Sequence, residues 1–127
     1  MSILITGGTG FLGAELCRLL VAEGHRPILL DPSPPRGRLL ELAPNYHHVP
    51  ASLTNLPVLL NTVRKHGVRT IYHLGGMLSM PSEHDPWSAF EINVGGTYNV
   101  LETCRLEGVE RCIFASSIAV YAEGLTG

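Results

Sequence analysis

Four glycines fall within the eleven residues Ile3–Gly13, directly behind the short apolar run Ile3–Thr6. Few features restrict a fold more. The run reads as a buried strand, and from about Gly10 the pattern turns helical, so the glycines sit between a strand and a helix. In the spacing Gly7-x-x-Gly10-x-x-Gly13 each glycine has a physical task. Gly7 permits a tight turn out of the strand, and Gly10 lets backbone approach a pyrophosphate. Gly13 lets the helix pack closely on the sheet. The start of the helix offers unpaired N–H groups and the positive end of its dipole to phosphates. An isolated glycine-rich turn binds nothing, but here an acid follows at the required distance. Asp31 ends the second apolar run, 18 residues after Gly13. A carboxylate there accepts hydrogen bonds from an adenosine ribose. Together these features imply a dinucleotide site. No Gly-Lys-Ser/Thr follows, which excludes a P-loop. A carboxylate repels a 2′-phosphate, so Asp31 favours NAD over NADP, while Arg36 and Arg38 in the next loop partly offset it.

The remaining pattern alternates strand and helix. Leu12, Leu16, Leu19 and Leu20 recur at helical spacing and predict one buried face, with Gly24 as the stop. "RPILLD" predicts a second strand, "PSPPRGR" a loop, and Leu39–Leu42 a helical turn. "NYHHVPA" predicts a third strand, "LPVLLNTVRKHG" a helix and "RTIYHLGG" a fourth strand. "DPWSAFEINVGGTYNVLETCRLEG" predicts one long helix, N-capped by Asp85 with Pro86 first. Gly95 and Gly96 inside it point to a close approach by another element. "RCIFASS" predicts a fifth strand. Units of this length with right-handed crossovers predict an α/β, Rossmann-type parallel sheet. Helices should cover both faces, with strand order 3-2-1-4-5 and the chain stopping after the fifth strand. Residues 1–127 then form one dinucleotide-binding domain.

Composition narrows the function classes. Hydrophobic residues at 45% and charged residues at 16% fit a globular chain, and a net charge of -2 advertises neither nucleic acid nor an anionic membrane. No apolar run approaches the roughly 20 residues of a membrane span. The N-terminus shows no basic region or cleavage site, so no secretory signal is expected. Cys17, Cys104 and Cys112 are odd in number and lack metal-site spacing. They are expected to be buried reduced thiols of a cytoplasmic protein, with no metal bound. His47 and His48, adjacent in a strand, are expected to serve packing or surface roles, and His73 a core hydrogen-bonding one. Trp87 is expected to pack, and Glu83, His84 and Asp85 to form a loop and helix start.

Four further segments carry a resemblance: "TGGTGFLG", "YHLGG", "NVGGTYNVLE" and "FASSIAVYAEG". In combination they resemble the extended short-chain dehydrogenases/reductases, the NAD-dependent epimerase/dehydratase family, over essentially the whole chain. "HLGGMLSMPSEHDPWSAFEINVGGTYNVLE" looks most like the branch of L-threonine dehydrogenases and their UDP-sugar epimerase-like relatives. The resemblance implies that Gly7, Gly10, Phe11 and Leu12 line the pyrophosphate and that Asp31 holds the ribose. Ser52, where the family usually has Asp, and Leu53 match positions flanking adenine. Leu74, Gly75 and Gly76 match the loop beside the riboses, the last two more often alanine in the family. Asn93 matches an asparagine near the cofactor. Ser79 and Met80 match a loop lining nicotinamide and substrate. Ser117, four residues before Tyr121, matches the catalytic serine or threonine.

The family's general base is the tyrosine of a Tyr-x-x-x-Lys motif that follows the serine. This chain has no such motif, for no lysine stands four residues after Tyr121 and its one lysine is Lys65. The 127 residues are therefore expected to bind NAD without turnover. They read as part of an epimerase, dehydratase or dehydrogenase acting on a nucleotide sugar or small alcohol. A non-catalytic NAD(P) sensor and an interaction module remain as alternatives. An apolar excess on the long helix and an open fifth strand predict a homodimer.

Overall fold

The computed structural model describes residues 2–77 and 79–117. Five parallel strands lie in the order 3-2-1-4-5: β1 (Ser2–Thr6), β2 (Ile28–Leu30), β3 (His47–Val49), β4 (Val68–His73) and β5 (Arg111–Phe114). The crossovers carry α1 (Phe11–Ala22), α2 (Arg38–Leu42), α3 (Leu56–His66) and, after β4, a run ending in α6 (Gly96–Glu107). The predicted strand order and fold class are those observed.

Two apolar layers sandwich the sheet. On one face Leu4, Ile28 and Ile71 pack under Leu59 and Val63 of α3 and Val100 of α6. On the other, Ile3, Ile5 and Leu29 pack under Cys17 and Leu20 of α1 and Leu39 of α2. Covered on both sides, the central strands must be apolar at successive positions, which is why Ile3–Ile5 and Ile28–Leu30 are unbroken runs. The helix ends follow local rules. The Asn55 side chain accepts from Val58 N–H at 3.2 Å to start α3, and Gly67 at φ 59° ends it.

Three expectations need correction. The buried stripe of α1 is Gly13, Cys17 and Leu20, while Leu12 and Leu19 are 61% and 48% exposed. The leucine spacing was helical, but the glycine, which has no hydrophobic signal, sets the face. The long helix is three pieces: α5 (Pro86–Phe90), a π-helical turn Glu91–Gly95 and α6. Asp85 does cap α5, accepting from Ser88 N–H at 3.1 Å. Before it stands α4 (Ser79–His84), which takes up Glu83 and His84 and was read as loop. Trp87, at the start of α5, is exposed and packs by stacking on Phe90, with ring centroids 6.2 Å apart.

Thr103 on α6 is fully buried, and its hydroxyl meets no hydrogen-bond partner among the described residues. Thr103→Val keeps the branched shape and removes that group, so it should stabilise the fold by about 1 kcal/mol. A higher urea midpoint at unchanged slope is the expected readout. A lower midpoint would show that the hydroxyl does useful bonding.

Candidate functional site

The β1–α1 turn is built from backbone that leaves no room for side chains at Gly7, Gly8 and Gly13. Gly7 sits at φ 67°, and a Cβ there would lie 2.8 Å from Gly75 Cα. A Cβ on Gly13 would meet Gly7 O at 2.3 Å, and one on Gly8 would meet Leu29 Cβ at 2.6 Å. Gly13 is thus needed for contact with the turn itself, not only with the sheet. Gly8, given no task from sequence, is needed to pass over β2; the doubled glycine was its signal. Gly10 differs, since its Cβ would meet only Gly7 O, at 3.3 Å. It is the N-cap of α1 and makes no side-chain cap, so the first amides of α1 (Phe11, Leu12, Gly13) open outward without one. Beside them Thr9, Gly10 and Phe11 line a cleft of about 590 Å³ together with Ala14, Glu15, Arg36 and Arg38.

Asp31 stands just past β2, beside this turn. Its Oδ2 accepts from Thr9 N–H at 3.2 Å and its Oδ1 from Ser33 N–H at 2.9 Å. The carboxylate is therefore oriented by the same turn that would carry phosphates. The neighbouring His48 holds the Asp31 carbonyl through Nε2 at 2.9 Å. His47 lies ring to ring with His66, 5.1 Å between centroids.

Across the sheet, a directional chain of hydrogen bonds fixes the loop after β4. Thr6 Oγ1 accepts from the N–H groups of Leu74 and Gly75, both at 3.1 Å. Its lone pairs are then used, so its O–H donates to His73 Nδ1, 2.7 Å away. His73 is consequently the Nε2–H tautomer and donates to Thr97 Oγ1 at 2.8 Å. Thr97 in turn donates to Asn93 O at 2.7 Å. Asn93 closes the circuit. Its Oδ1 accepts from Met77 N–H at 2.7 Å and its Nδ2 donates to Met77 O at 3.3 Å. The π-helical turn presents Asn93 to that loop, a recurrent use of such turns. Burial holds the His73 imidazole below its ordinary value of 6.5.

The sequence-marked residues thus divide. Gly7, Gly10, Phe11, Leu12, Gly13 and Asp31 converge at the C-terminal edge of β1 and β2. Leu74, Gly75, Gly76 and Asn93 form the adjoining wall, with a Gly76 Cβ position 3.0 Å from Asn93 Oδ1. Leu53 is buried beside that wall, filling the space left by Gly75 and Gly96; their Cβ positions would lie 2.9 and 2.7 Å from it. That explains Gly96, whereas Gly95 has no neighbour within 4 Å. The Ser52 hydroxyl accepts from Thr54 N–H at 3.2 Å in the turn before α3. Ser117 follows β5, where Ala115 N–H still donates to His73 O at 3.2 Å. Ser79 and Met80 open α4; their side chains, and all of Tyr121, lie outside the described residues. The core hydrogen-bonding role expected of His73 is the one observed, whereas its partners Thr6 and Thr97 were not legible as site builders. Their signal is only a threonine ending β1 and another at the second position of α6. Among the described residues no cluster of three or more His, Cys, Asp or Glu is placed to hold a metal ion. A second hollow, about 310 Å³, lies at the opposite end of the sheet, lined by Arg64, Glu107, Arg69 and Glu110, which pair with one another.

Comparison with known proteins agrees with this geometry. The family model "NAD dependent epimerase/dehydratase family" matches residues 3–126. CDP-paratose 2-epimerase of Salmonella typhi is 32% identical over 97% of this chain, which spans 38% of that protein. UDP-glucose 4-epimerase of Thermus thermophilus, solved with NAD, superposes with a TM-score of 0.82 at 30% identity, covering 92% of this chain and 38% of that one. The Thermotoga maritima UDP-glucose 4-epimerase, solved with UDP-glucose, gives 0.88 at 26% identity, covering 100% and 41%. The chain therefore spans well under half the length of these relatives.

The His73 chain has a pH consequence. The folded protein resists protonating His73, while the unfolded chain binds that proton below about pH 6.5. Stability is unaffected by this group above that pH and falls as pH drops below it, by up to about 1.4 kcal/mol per pH unit for one proton. His66, lowered by burial and by His47, Lys65 and Arg26, acts in the same direction. His73→Gln retains His66, so its stability should decline less steeply between pH 7 and 5 than that of the unsubstituted chain. Equal slopes in urea titrations would refute the assignment.

Proposed function

The chain belongs to the NAD-dependent epimerase/dehydratase family, and from that premise we propose that it binds NAD as the dinucleotide-binding portion of an enzyme of this type. The observation that carries the reading is the uncapped start of α1 at Gly10, beside a cleft and the Asp31 carboxylate. The residues fit the group. Phe11, Leu12 and Gly13 amides would bind the pyrophosphate, and the bare Gly10 lets it approach. Asp31 would accept from the ribose hydroxyls. Leu74, Gly75 and Gly76 would wall the ribose side, Ser52 and Leu53 the adenine side, and Ser79 and Met80 the nicotinamide and substrate side. Asn93 would act by holding the 74–77 loop, since both its polar side-chain atoms are committed to Met77.

Bound NAD supplies a hydride acceptor. Ser117, beyond the end of β5, would orient the hydroxyl of a nucleotide sugar or small alcohol. A general base of the Tyr-x-x-x-Lys type is not encoded in these 127 residues. Positioned acid–base groups contribute about 10²–10⁴-fold in rate, so cofactor binding and turnover separate in this chain. The free thiols Cys17, Cys104 and Cys112 fit a reducing compartment, the cytoplasm. No helix among the described residues is long and apolar enough to cross a membrane.

Calorimetry with NAD and NADP tests the reading. Gly10→Val should weaken NAD at least about tenfold, the value of one charge-assisted hydrogen bond. Asp31→Ala should narrow the preference for NAD over NADP. Neither form should show Ser117-dependent turnover. NAD binding unchanged by Gly10→Val would remove the site from the turn.

We also propose that the chain pairs with a second copy. Trp87, Phe90, Val94, Tyr98 and Leu101 are all exposed, three or four residues apart along α5, the π-helical turn and α6. An apolar stripe of this length is self-complementary about a two-fold axis. Light scattering on a sizing column should report a dimer that the double change Phe90→Glu, Tyr98→Glu converts to monomer. A strict monomer at every concentration overturns the pairing.

A further inference from the structure

Cys104 and Cys112 have no part in the site above, yet the fold brings them together. In the β4–β5 register Cys112 is paired with Ile71, and Ile71 with Leu4, so all three side chains point to one face of the sheet. That face is covered by α6 through Val100, and Cys104 is one helical turn further on. Both cysteines pack against the same apolar cluster, close enough for Cys112 to bear on the Cys104 thiol. The connection between them is a tight reversal. Gly108 ends α6 at φ 66°, and Val109 N–H donates back to Cys104 O at 3.0 Å. Both residues are half-buried, within reach of a small oxidant, whereas Cys17 is fully buried in the opposite layer with no second cysteine in its cluster.

We propose that Cys104 and Cys112 form a reversible intramolecular disulfide when the protein meets a hydroperoxide. Cys112 Sγ attacks the peroxide oxygen, giving a sulfenic acid and releasing water or an alcohol. Cys104 Sγ then displaces the second oxygen as water and forms the S–S bond. Two thiols lose two electrons and two protons, and the peroxide bond takes them up. The order follows from the environment. Cys112 lies on β5, the edge strand, where a peroxide can approach. Cys104 sits on α6 over the core, where burial and the adjacent Cys112 push its thiol up, so Cys104 serves as the resolving one. Its thiol becomes competent once the neighbouring sulfur is electrophilic and in contact. The product ties the last turns of α6, the helix that carries Thr97, to the strand that leads to Ser117. The pair is at rest as dithiol and returns to it with a reducing thiol.

Peptide mapping decides the matter. The folded chain is treated with a slight excess of hydrogen peroxide, then unfolded in guanidinium chloride, alkylated with iodoacetamide and cleaved with trypsin without reduction. Cleavage after Arg69, Arg105 and Arg111 separates segments 70–105 and 112–127. The expected result is that these two remain joined, lighter by two hydrogens, in a protein of monomer mass on a non-reducing denaturing gel. Dithiothreitol should release them, with Cys17 alkylated throughout. Cys112→Ser should leave Cys104 alkylated after the same treatment. Alkylation of both cysteines in the oxidised chain, their separate conversion to sulfinic acids, or a bond between two molecules would each overturn the proposal.

Discussion

One threonine hydroxyl fixes the edge of the sheet where the site lies. Thr6 Oγ1 accepts two backbone N–H groups from the loop after β4 and donates its single hydrogen to His73. A hydroxyl has one donor and two acceptor positions, and here all are used. The consequence is directional. His73 takes one tautomer, Thr97 one rotor and Asn93 O one partner. The ends of β1 and β4, the π-helical turn and the 74–77 loop therefore move as a unit. Such a network is strong only while it is complete, because a buried polar group without its partner costs more than the bond itself contributes.

That tie works because no side chains separate the backbones it joins. Gly7 and Gly75 approach each other where a Cβ would lie 2.8 Å from the facing Cα. Gly13 rests on Gly7 and Gly8, and Gly75 and Gly96 close around Leu53. The glycines have a shared purpose in bringing three backbone segments together, and Leu53 fills what they leave open. Within the β1–α1 turn Gly10 is the least crowded glycine, its Cβ position meeting only Gly7 O at 3.3 Å, which leaves it open to a ligand. The same turn both binds Asp31 through Thr9 N–H and leaves the start of α1 without a side-chain cap, so in the proposed function cofactor selection and phosphate binding would share one piece of backbone.

Much of this was legible because it rests on local chemistry. Apolar runs that must be covered on both sides gave the strands, and the glycine stops and the Asp85 cap gave helix limits. The spacing from Gly13 to Asp31 gave the ligand class. The failures have physical reasons too. The face of α1 was misread because a glycine buried by close backbone contact looks polar to a hydrophobic pattern. The π-helical turn was missed because its cause, the reach of Asn93 to Met77, is a contact 16 residues away.

By itself the sequence determined the order of elements, the glycine turn and the acid that follows it, because each depends on residues within a few turns of one another. Tertiary structure alone decided the rest. It set which hydroxyl accepts from which amide, which tautomer His73 adopts, and that Cys104 meets Cys112 under α6. Those outcomes depend on where parallel strands place residues as far as 69 positions apart, as with Thr6 and Gly75. No local pattern encodes such a distance; it is fixed only when both apolar faces of the sheet are covered and the strands lock into register.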